Sequence, residues 1–545
     1  MTGKFAVALL TAAIAWSVSL VCQAQPQPLM TRHVRDAVIS GQAQLIGRLP
    51  ASQTLRFDVV LALRHEPELD NFLEELYDPT SPNYRQFVTV KEFTERFGPS
   101  QEDYDGLVRF AAAHGLKVVG GSRDAMDVQL SGTVDAIEKA FHVAMNMYQH
   151  PTENRVFFAP DREPTADLPF ALWHVSGLDN YSIPRARVEH RESTAKPNVK
   201  GSCPKSSYCG SDMRAAYYGG TTLTGAGQTL GLVEYAGYDI ADFNTYFKNA
   251  KQTNKVLIKG VSTDGSSLSC KSPCDDTEQT IDMTQAVSMA PGLKTLYVFV
   301  GNSDTAILGS MSKHTPLSAQ LSCSWGWEPS DPKTDDPYFK KFAAQGQSFF
   351  TAAGDSGAFN SGSTYVYPAD DAYITVVGGT DLQTTKAAGA WASETVWSSG
   401  GGGVYRPDRI PIPSWQMLTG VITAQNKGSK TLRNSPDVAA EANYDFYVCA
   451  DQAGCTANEW GGTSFAAPMW AGYMALVNQQ AVAKGKKPLG FINPLIYPLG
   501  LSKGYGVAFH DITKGSNGEP ATKGYDLASG WGSPNGAGLI DALAP

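Results

Sequence analysis

From about residue 201 to the C-terminus, short β-branched runs alternate with helical stretches and end in Gly-rich turns. Residues 229–233, 295–300, 348–352 and 374–377 are the clearest such runs. Parallel strands need long crossover connections and are covered on both faces, so this alternation predicts an α/β fold built on a mostly parallel sheet. The run Ser398-Ser-Gly-Gly-Gly-Gly403 reads as a loop where backbone approaches a ligand.

The first third of the chain has a different texture. A strand over 56–63, helices over 67–76 and 101–114, strands at 117–119 and 127–130 and a helix over 134–142 predict a smaller α/β unit within 26–183. Residues 184–200 are polar and poor in large apolar groups, which predicts a linker without regular structure, open to proteolysis. At the N-terminus, Lys4 precedes an apolar stretch over 5–21 and Cys22-Gln23-Ala24, the layout of a secretory signal, with a membrane anchor as the competing reading. No later stretch reaches the roughly 18 apolar residues that a spanning helix needs. The divisions are therefore 1–24, 25–183, 184–202 and 203–545. A net charge of −9 with 18% charged residues argues against nucleic acid or an anionic membrane as the main partner.

Seven cysteines remain after Cys22. Three pairs lie close in sequence (203/209, 270/274 and 449/455), each suited to closing a small loop in an oxidising compartment, with Cys323 left over and buried. A zinc site is the rival reading, but the cysteines are scattered and no His accompanies Cys270 and Cys274.

The strongest chemical signal is Gly461-Gly-Thr-Ser-Phe-Ala-Ala-Pro468, leading into an apolar helix from Met469 to about Val477. A hydroxyl at a helix N-terminus sits where backbone N–H groups stabilise developing negative charge. The plain alternative is that Thr463 or Ser464 merely caps the helix. Only His314 and His510 follow the linker, and neither has a catalytic-histidine context, so a carboxylate is the expected base for Ser464. Glu278 and Asp282, four residues apart on a helix read over 276–290, share one face. Two carboxyls that close resist double ionisation and can share a proton, as a base and its orienting partner require at acidic pH, whereas an ordinary acidic helix face would simply be solvated. Asp355 follows an apolar strand at a Gly-flanked turn, Gly354-Asp-Ser-Gly357, where sites gather in parallel sheets. That tetrapeptide is also similar to the trypsin-like nucleophile segment, but its surroundings are not.

Taken in order, Glu278-x3-Asp282, Ala290-Pro-Gly292, Ser322-Cys-Ser-Trp-Gly326, Gly354-Asp-Ser-Gly357, Val377-Gly-Gly-Thr380, Pro436-Asp-Val438 and Gly462-Thr-Ser-Phe-Ala-Ala-Pro468 resemble the sedolisin, or serine-carboxyl peptidase, family. Leu76-Tyr-Asp-Pro-Thr-Ser-Pro-Asn-Tyr84, Phe97-Gly-Pro-Ser100 and Ala140-Phe-His142 resemble its activation prodomain, like that of kumamolisin. The resemblance implies a subtilisin-like catalytic domain behind a ferredoxin-like prodomain. It implies Ser464 as nucleophile, Glu278 as base, Asp282 as its partner and a protonated Asp355 in the oxyanion hole, a donor that ionisation would turn into a repelling charge. It also implies one structural Ca²⁺ in the 509–534 segment, held by side chains of Asp511 and Asp526 and carbonyls of Ile512, Thr522 and Gly524, with Thr522 standing where the family has glycine.

The resulting expectation is a secreted (extracellular or periplasmic), acid-acting serine endopeptidase, monomeric, made as a zymogen and held by its own prodomain until cleavage within 184–202. Its substrates would be proteins or peptides, with no nucleic acid and no membrane anchor. The alternatives are a tripeptidyl peptidase of the same family, a His-dependent subtilisin-like enzyme using His314 or His510, and a non-catalytic relative.

Overall fold

The computed structural model describes residues 26–192, 199–360, 362–452 and 454–545. The expected signal over 1–24 and residues 193–198 of the linker lie outside them.

The N-terminal unit is built on strands β1 (Thr54–Leu61), β2 (Lys117–Ser122), β3 (Asp127–Thr133) and β4 (Leu172–Ser176), all antiparallel, in the order β2-β3-β1-β4. Helices α1 (Glu66–Tyr77) and α2 (Gln101–Ala113) lie in the β1–β2 connection, and α3 (Val134–Phe141) in the β3–β4 connection. This is the expected ferredoxin-like arrangement. Ser100 and Thr133 cap α2 and α3 through backbone N–H groups three residues on, which sets where those helices begin. Val59, Leu107, Val128, Leu130, Ile137 and Phe141 form its core.

The unit docks firmly on the rest of the chain. Leu69, Phe72, Phe93 and Phe97 share one apolar cluster with Phe339, Phe342 and Phe349. Lys340 reaches Glu66 at 3.0 Å and Asp70 at 2.8 Å, and the Tyr77 hydroxyl donates to the Ala343 carbonyl at 2.7 Å.

The linker departs from expectation. Instead of irregular, exposed chain, β5 (Arg185–Ala186) and β6 (Glu189–His190) each pair with a strand of the following domain, and Arg187 between them is buried. Low apolar content does not prevent ordering here, because the neighbouring domain's backbone supplies the hydrogen bonds.

The C-terminal unit holds an eight-stranded sheet. Its strands are β7 (Thr229–Glu234), β8 (Leu257–Ser262), β9 (Thr295–Val300), β10 (Gln320–Cys323), β11 (Trp325–Gly326, off the sheet), β12 (Ser348–Ala352), β13 (Thr375–Thr384), β14 (Trp391–Val396) and β15 (Val438–Glu441). The order is β8-β9-β7-β10-β12-β13-β14, with β15 beside β13, and every pair is parallel except β13–β14. A hairpin, β16 (Phe446–Ala450) and β17 (Gly454–Gly461), leads into the helix that carries Ser464.

Two helices cross the centre. In α4 (Thr277–Met289) all 13 residues are buried. In α5 (Thr463–Ala483) the first 16 residues are buried, so it is apolar around its circumference rather than on one stripe. It begins six residues before the expected start. Pro468 is tolerated inside it because the carbonyl it leaves unbonded, that of Ser464, lies 3.5 Å from the Ser324 hydroxyl. Bridges join Cys203–Cys209, Cys270–Cys274 and Cys449–Cys455, and Cys323 is free and buried. Among the described residues, no helix is long and apolar enough to cross a membrane.

Candidate active site

Strands β7, β10 and β12 are neighbours, so their carboxyl ends bring three segments to one place. They carry Glu234 as the last residue of β7, Ser324 just past β10 and Asp355 three residues past β12. Helix α4 packs along α5 and delivers Glu278 and Asp282 to the same region.

The acidic pair is not a solvated helix face: Glu278 is 3% exposed and Asp282 is fully buried. Burial raises Asp282 to about 8, against hydrogen bonds from Ser324 and its neighbouring carboxyls. Glu278 is also held well above the carboxylate range, by burial first and then by Asp282 and Glu234. The mutual repulsion expected from the sequence is present but secondary to desolvation.

The Ser324 hydroxyl donates to Asp282 Oδ1 at 2.7 Å. Glu234, fully buried and raised well above its ordinary value by burial, stands against Asp282 and accepts from Trp325 Nε1 at 3.0 Å. The acidic chain therefore runs Glu278–Asp282–Glu234. Sequence reading missed Glu234 and gave Ser324 and Trp325 no role, although an acid closing an apolar parallel strand was the available signal.

Ser464 lies beside Glu278, whose ionisation its hydroxyl favours. In this linker-filled state neither Glu278 oxygen is in hydrogen-bond geometry, and Ser464 Oγ is turned to the Ser324 carbonyl at 3.4 Å. Neither Thr463 nor Ser464 caps its helix. Thr463 instead donates to Asp355 Oδ1 from both its N–H and its hydroxyl, each at 2.8 Å, and accepts from the Gly354 N–H at 3.0 Å. Asp355 Oδ2 is enclosed and without a partner, and burial pushes the carboxyl up to about 8. With one oxygen saturated by donors, the proton belongs on Oδ2, facing the site.

The linker crosses this constellation. Arg187 N–H donates to the Ser324 carbonyl at 2.9 Å, and the Ser464 N–H donates to the Arg187 carbonyl at 3.1 Å. β5 pairs antiparallel with β11 on one side and β6 with β17 on the other. Gly462, at φ +148°, makes room for the passage: a Cβ there would stand 2.4 Å from the Arg187 carbonyl oxygen and 2.9 Å from Asp355 Oδ2. In the 398–403 loop Gly401 allows close packing, since a Cβ there would meet the Ala353 carbonyl oxygen at 2.1 Å. That loop supports the Asp355 turn.

Neither downstream histidine is in reach. His314 packs edge-on against Tyr297 and Phe299, and His510 stacks on Trp391 with ring centroids 4.0 Å apart. Ser356 is exposed.

The 509–534 segment places Asp526 fully buried, with Oδ2 accepting from the Thr522 N–H at 2.7 Å and Oδ1 from the N–H groups of Ala528 and Ser529. Asp511 Oδ1 accepts from the Gly524 N–H at 3.1 Å and the Tyr505 hydroxyl at 3.0 Å. Burial raises Asp526 to about 6, and the groups acting on it are neutral donors. Ile512 is buried, Gly524 has φ +79°, and the buried Thr522 Oγ1 has no partner. Among the described residues, no group of three or more His, Cys, Asp or Glu forms a metal cluster.

Fold and site together define a serine-type peptidase preceded by an activation domain. Residues 41–181 match the pro-kumamolisin activation domain, and 266–488 match the subtilase family. The chain is 30% identical to kumamolisin of Bacillus sp. (strain MN-32), over 93% of this chain and 96% of that one. It is 25% identical to sedolisin of Pseudomonas sp. (strain 101), over 90% and 86% of the two chains. A solved structure of Pseudomonas sedolisin, a serine-carboxyl proteinase complexed with pseudo-iodotyrostatin, superposes with a TM-score of 0.53 at 25% identity, covering 63% of this chain and 98% of that one. The chain belongs to the sedolisin, or serine-carboxyl peptidase, family.

Proposed function

We propose that the protein is a secreted, acid-acting serine endopeptidase made as a zymogen, with residues 1–24 as signal, 25–183 as inhibitory prodomain, 184–202 as the cleaved linker and 203–545 as the monomeric catalytic domain. The observation that carries this reading is the linker backbone held substrate-fashion between Ser324 and Ser464, beside a buried acidic chain that ends at the serine.

Ser464 Oγ attacks the peptide carbonyl carbon while Glu278 takes its proton, and Asp282 with Glu234 shares the charge and fixes the Glu278 carboxyl. Charge developing on the carbonyl oxygen is met by the Ser464 N–H and by the proton on Asp355 Oδ2. Collapse of this intermediate returns the proton from Glu278 to the leaving amine, and water then hydrolyses the acyl-enzyme through the same groups in reverse.

Endopeptidase rather than tripeptidyl peptidase action is part of this reading, and the digest described below separates the two.

A structural calcium ion fits the 509–534 segment. Asp511 and Asp526 would hold it by side chains, and Ile512, Thr522 and Gly524 by carbonyls. Two carboxylates, of which buried Asp526 is met only by neutral donors, and an orphaned Thr522 hydroxyl suit a hard ion. Such an ion would tie the loop down and take no part in chemistry.

Mass spectrometry of a denatured protein digested from pH 3 to pH 8 tests the function. Internal cleavages concentrated at acidic pH support it; release of tripeptides only, or no cleavage, overturns it.

A further inference from the structure

Resting on the peptidase reading, with Asp355 as the acid that meets the oxyanion, a second feature concerns what holds that acid from outside the cleft. In the 509–534 segment, residues 513–516 and 518 are exposed, yet Asn517 between them is only 6% exposed. A carboxamide buried in a surface loop costs free energy unless its donors and acceptors are met.

The partners of Asn517 lead to the Asp355 turn. Its Nδ2 donates to the Gly400 carbonyl at 2.7 Å, and its backbone carbonyl accepts from the Ala358 N–H at 2.7 Å. Its Oδ1 accepts from the Glu519 N–H at 3.0 Å, a local turn that fixes the direction of the side chain. The segment is itself fastened to the large sheet, since the Val396 N–H of β14 donates to the Lys514 carbonyl at 2.9 Å.

Gly400 lies at the middle of a grip on Asp355. The Gly401 N–H donates to the Gly354 carbonyl at 2.6 Å, immediately before the acid, and the Gly357 N–H donates to the Ser399 carbonyl at 2.8 Å, just after it. The Phe359 N–H adds a bond to the Gly402 carbonyl at 2.6 Å. Asp355 is thus held from two directions: Thr463 holds its Oδ1 from the Ser464 helix, and the 399–402 loop holds its backbone from the far side. Four consecutive glycines bring no side chains to pack that loop and leave its backbone free to adopt other conformations, so the amide bond to Gly400 is what sets its place. Placement matters because a donor displaced by about 1 Å from the reacting group can cost about 10²-fold in rate.

We infer that Asn517 is a positioning residue for the reaction. By fixing Gly400 and Ala358 it keeps the proton on Asp355 Oδ2 aimed at the carbonyl oxygen, and it acts on turnover only through Asp355.

The test is a double-mutant cycle on mature enzyme. Asn517→Ala, Asp355→Ala and the double variant are matured by tagged wild type, which is then removed, and assayed on one quenched peptide that wild type cleaves. Asn517→Ala should lower kcat about tenfold or more with KM within about twofold of wild type, and should lower kcat less than about twofold further where Asp355 is already alanine. Loss of folded enzyme would lower kcat by the same factor in both backgrounds, so the cycle separates positioning from stability. Asn517→Ser, whose hydroxyl keeps the Glu519 turn but falls short of Gly400, should give the same pattern and takes the place of an alanine variant that does not fold. Ser516→Ala, exposed and next in the chain, should leave kcat within about twofold of wild type. Unchanged kcat in the Asn517 variants, an equal fold loss with and without Asp355, or an equal loss in Ser516→Ala overturns the role while leaving the peptidase standing. No cleavage of any peptide by wild type from pH 3 to pH 8 overturns both.

Discussion

The carbonyl oxygen of Arg187 accepts a hydrogen bond from the N–H of Ser464 at 3.1 Å, with Asp355 Oδ2 enclosed alongside. On the proposed mechanism, a peptide carbonyl of the chain itself thus occupies the position where an oxyanion would form. Pairing on both sides of it, through β5 and β6, makes the zymogen a record of how a substrate lies.

From this follows the role of Asp355. With the linker in place burial holds its carboxyl at about 8, and opening the cleft to water brings it back toward the ordinary aspartate, so the proton-bearing donor of the mature enzyme is present in acid and lost as pH rises. Asp355→Ala should lower kcat/KM about 10²–10³-fold at every pH. Asp355→Asn, which donates at any pH, should lose less and should lack the alkaline limb expected of wild type. A pH–rate profile of the three proteins checks this.

The acidic chain in the core carries a stability signature. Asp282 is raised to about 8, and Glu278 and Glu234 are also raised by burial. The native state therefore keeps protons that the unfolded chain releases near pH 4, and stability falls as pH climbs from there through about 8. Amide exchange protection in 277–289 should be higher at pH 5 than at pH 8, and Asp282→Asn should flatten the difference. Protection that rises with pH would contradict it.

The prodomain has a group of the opposite sign. His174 stacks on His33 with centroids 4.4 Å apart, lies 2.7 Å from Thr31 Oγ1, and is held well below its ordinary value by burial, then by His33 and Arg35. Its contribution is full above about 6.5 and is lost as pH falls, because the released chain takes up a proton that the native ring refuses. Acid should therefore loosen β4 and with it the inhibitory unit. Exchange protection over 172–176 is expected to drop between pH 7 and pH 4, and His174→Phe, which keeps a stacked ring, should reduce the drop and slow acid maturation.

For the 509–534 segment, chelation is the probe. If calcium holds Asp511 and Asp526 together, removing it with EGTA should lower the melting temperature of the mature enzyme. The loss corresponds to about 2.7 kcal/mol for an ion present at a hundred times its Kd. Asp526→Ala should melt lower from the outset and be indifferent to EGTA. Equal melting of wild type with and without chelator would remove the ion from the account.

Much of this was readable from residue order. The β-branched runs specify buried parallel strands, and the Ser464, Asp355 and Glu278–Asp282 segments each carry a local chemical reason for their composition. What the sequence hides are relations across distance. Glu234 ends an unremarkable apolar strand, and only the sheet order β7-β10-β12 brings it to Asp282. The 184–192 stretch looks like free linker because its stability comes from strands more than a hundred residues away. Desolvation of Glu278 depends on α5 packing over α4, which no i, i+4 spacing reveals.

The central claim is that acidic side chains, not an imidazole, activate Ser464. Its most direct test is acid processing of purified zymogen, followed by intact mass, in Glu278→Gln and in a His314→Ala/His510→Ala double variant. The account predicts that Glu278→Gln stays full-length, with turnover down at least about 10⁴-fold, while the double histidine variant matures at a rate close to wild type. Maturation of Glu278→Gln at the wild-type rate, or its loss in the histidine variant alone, would contradict it.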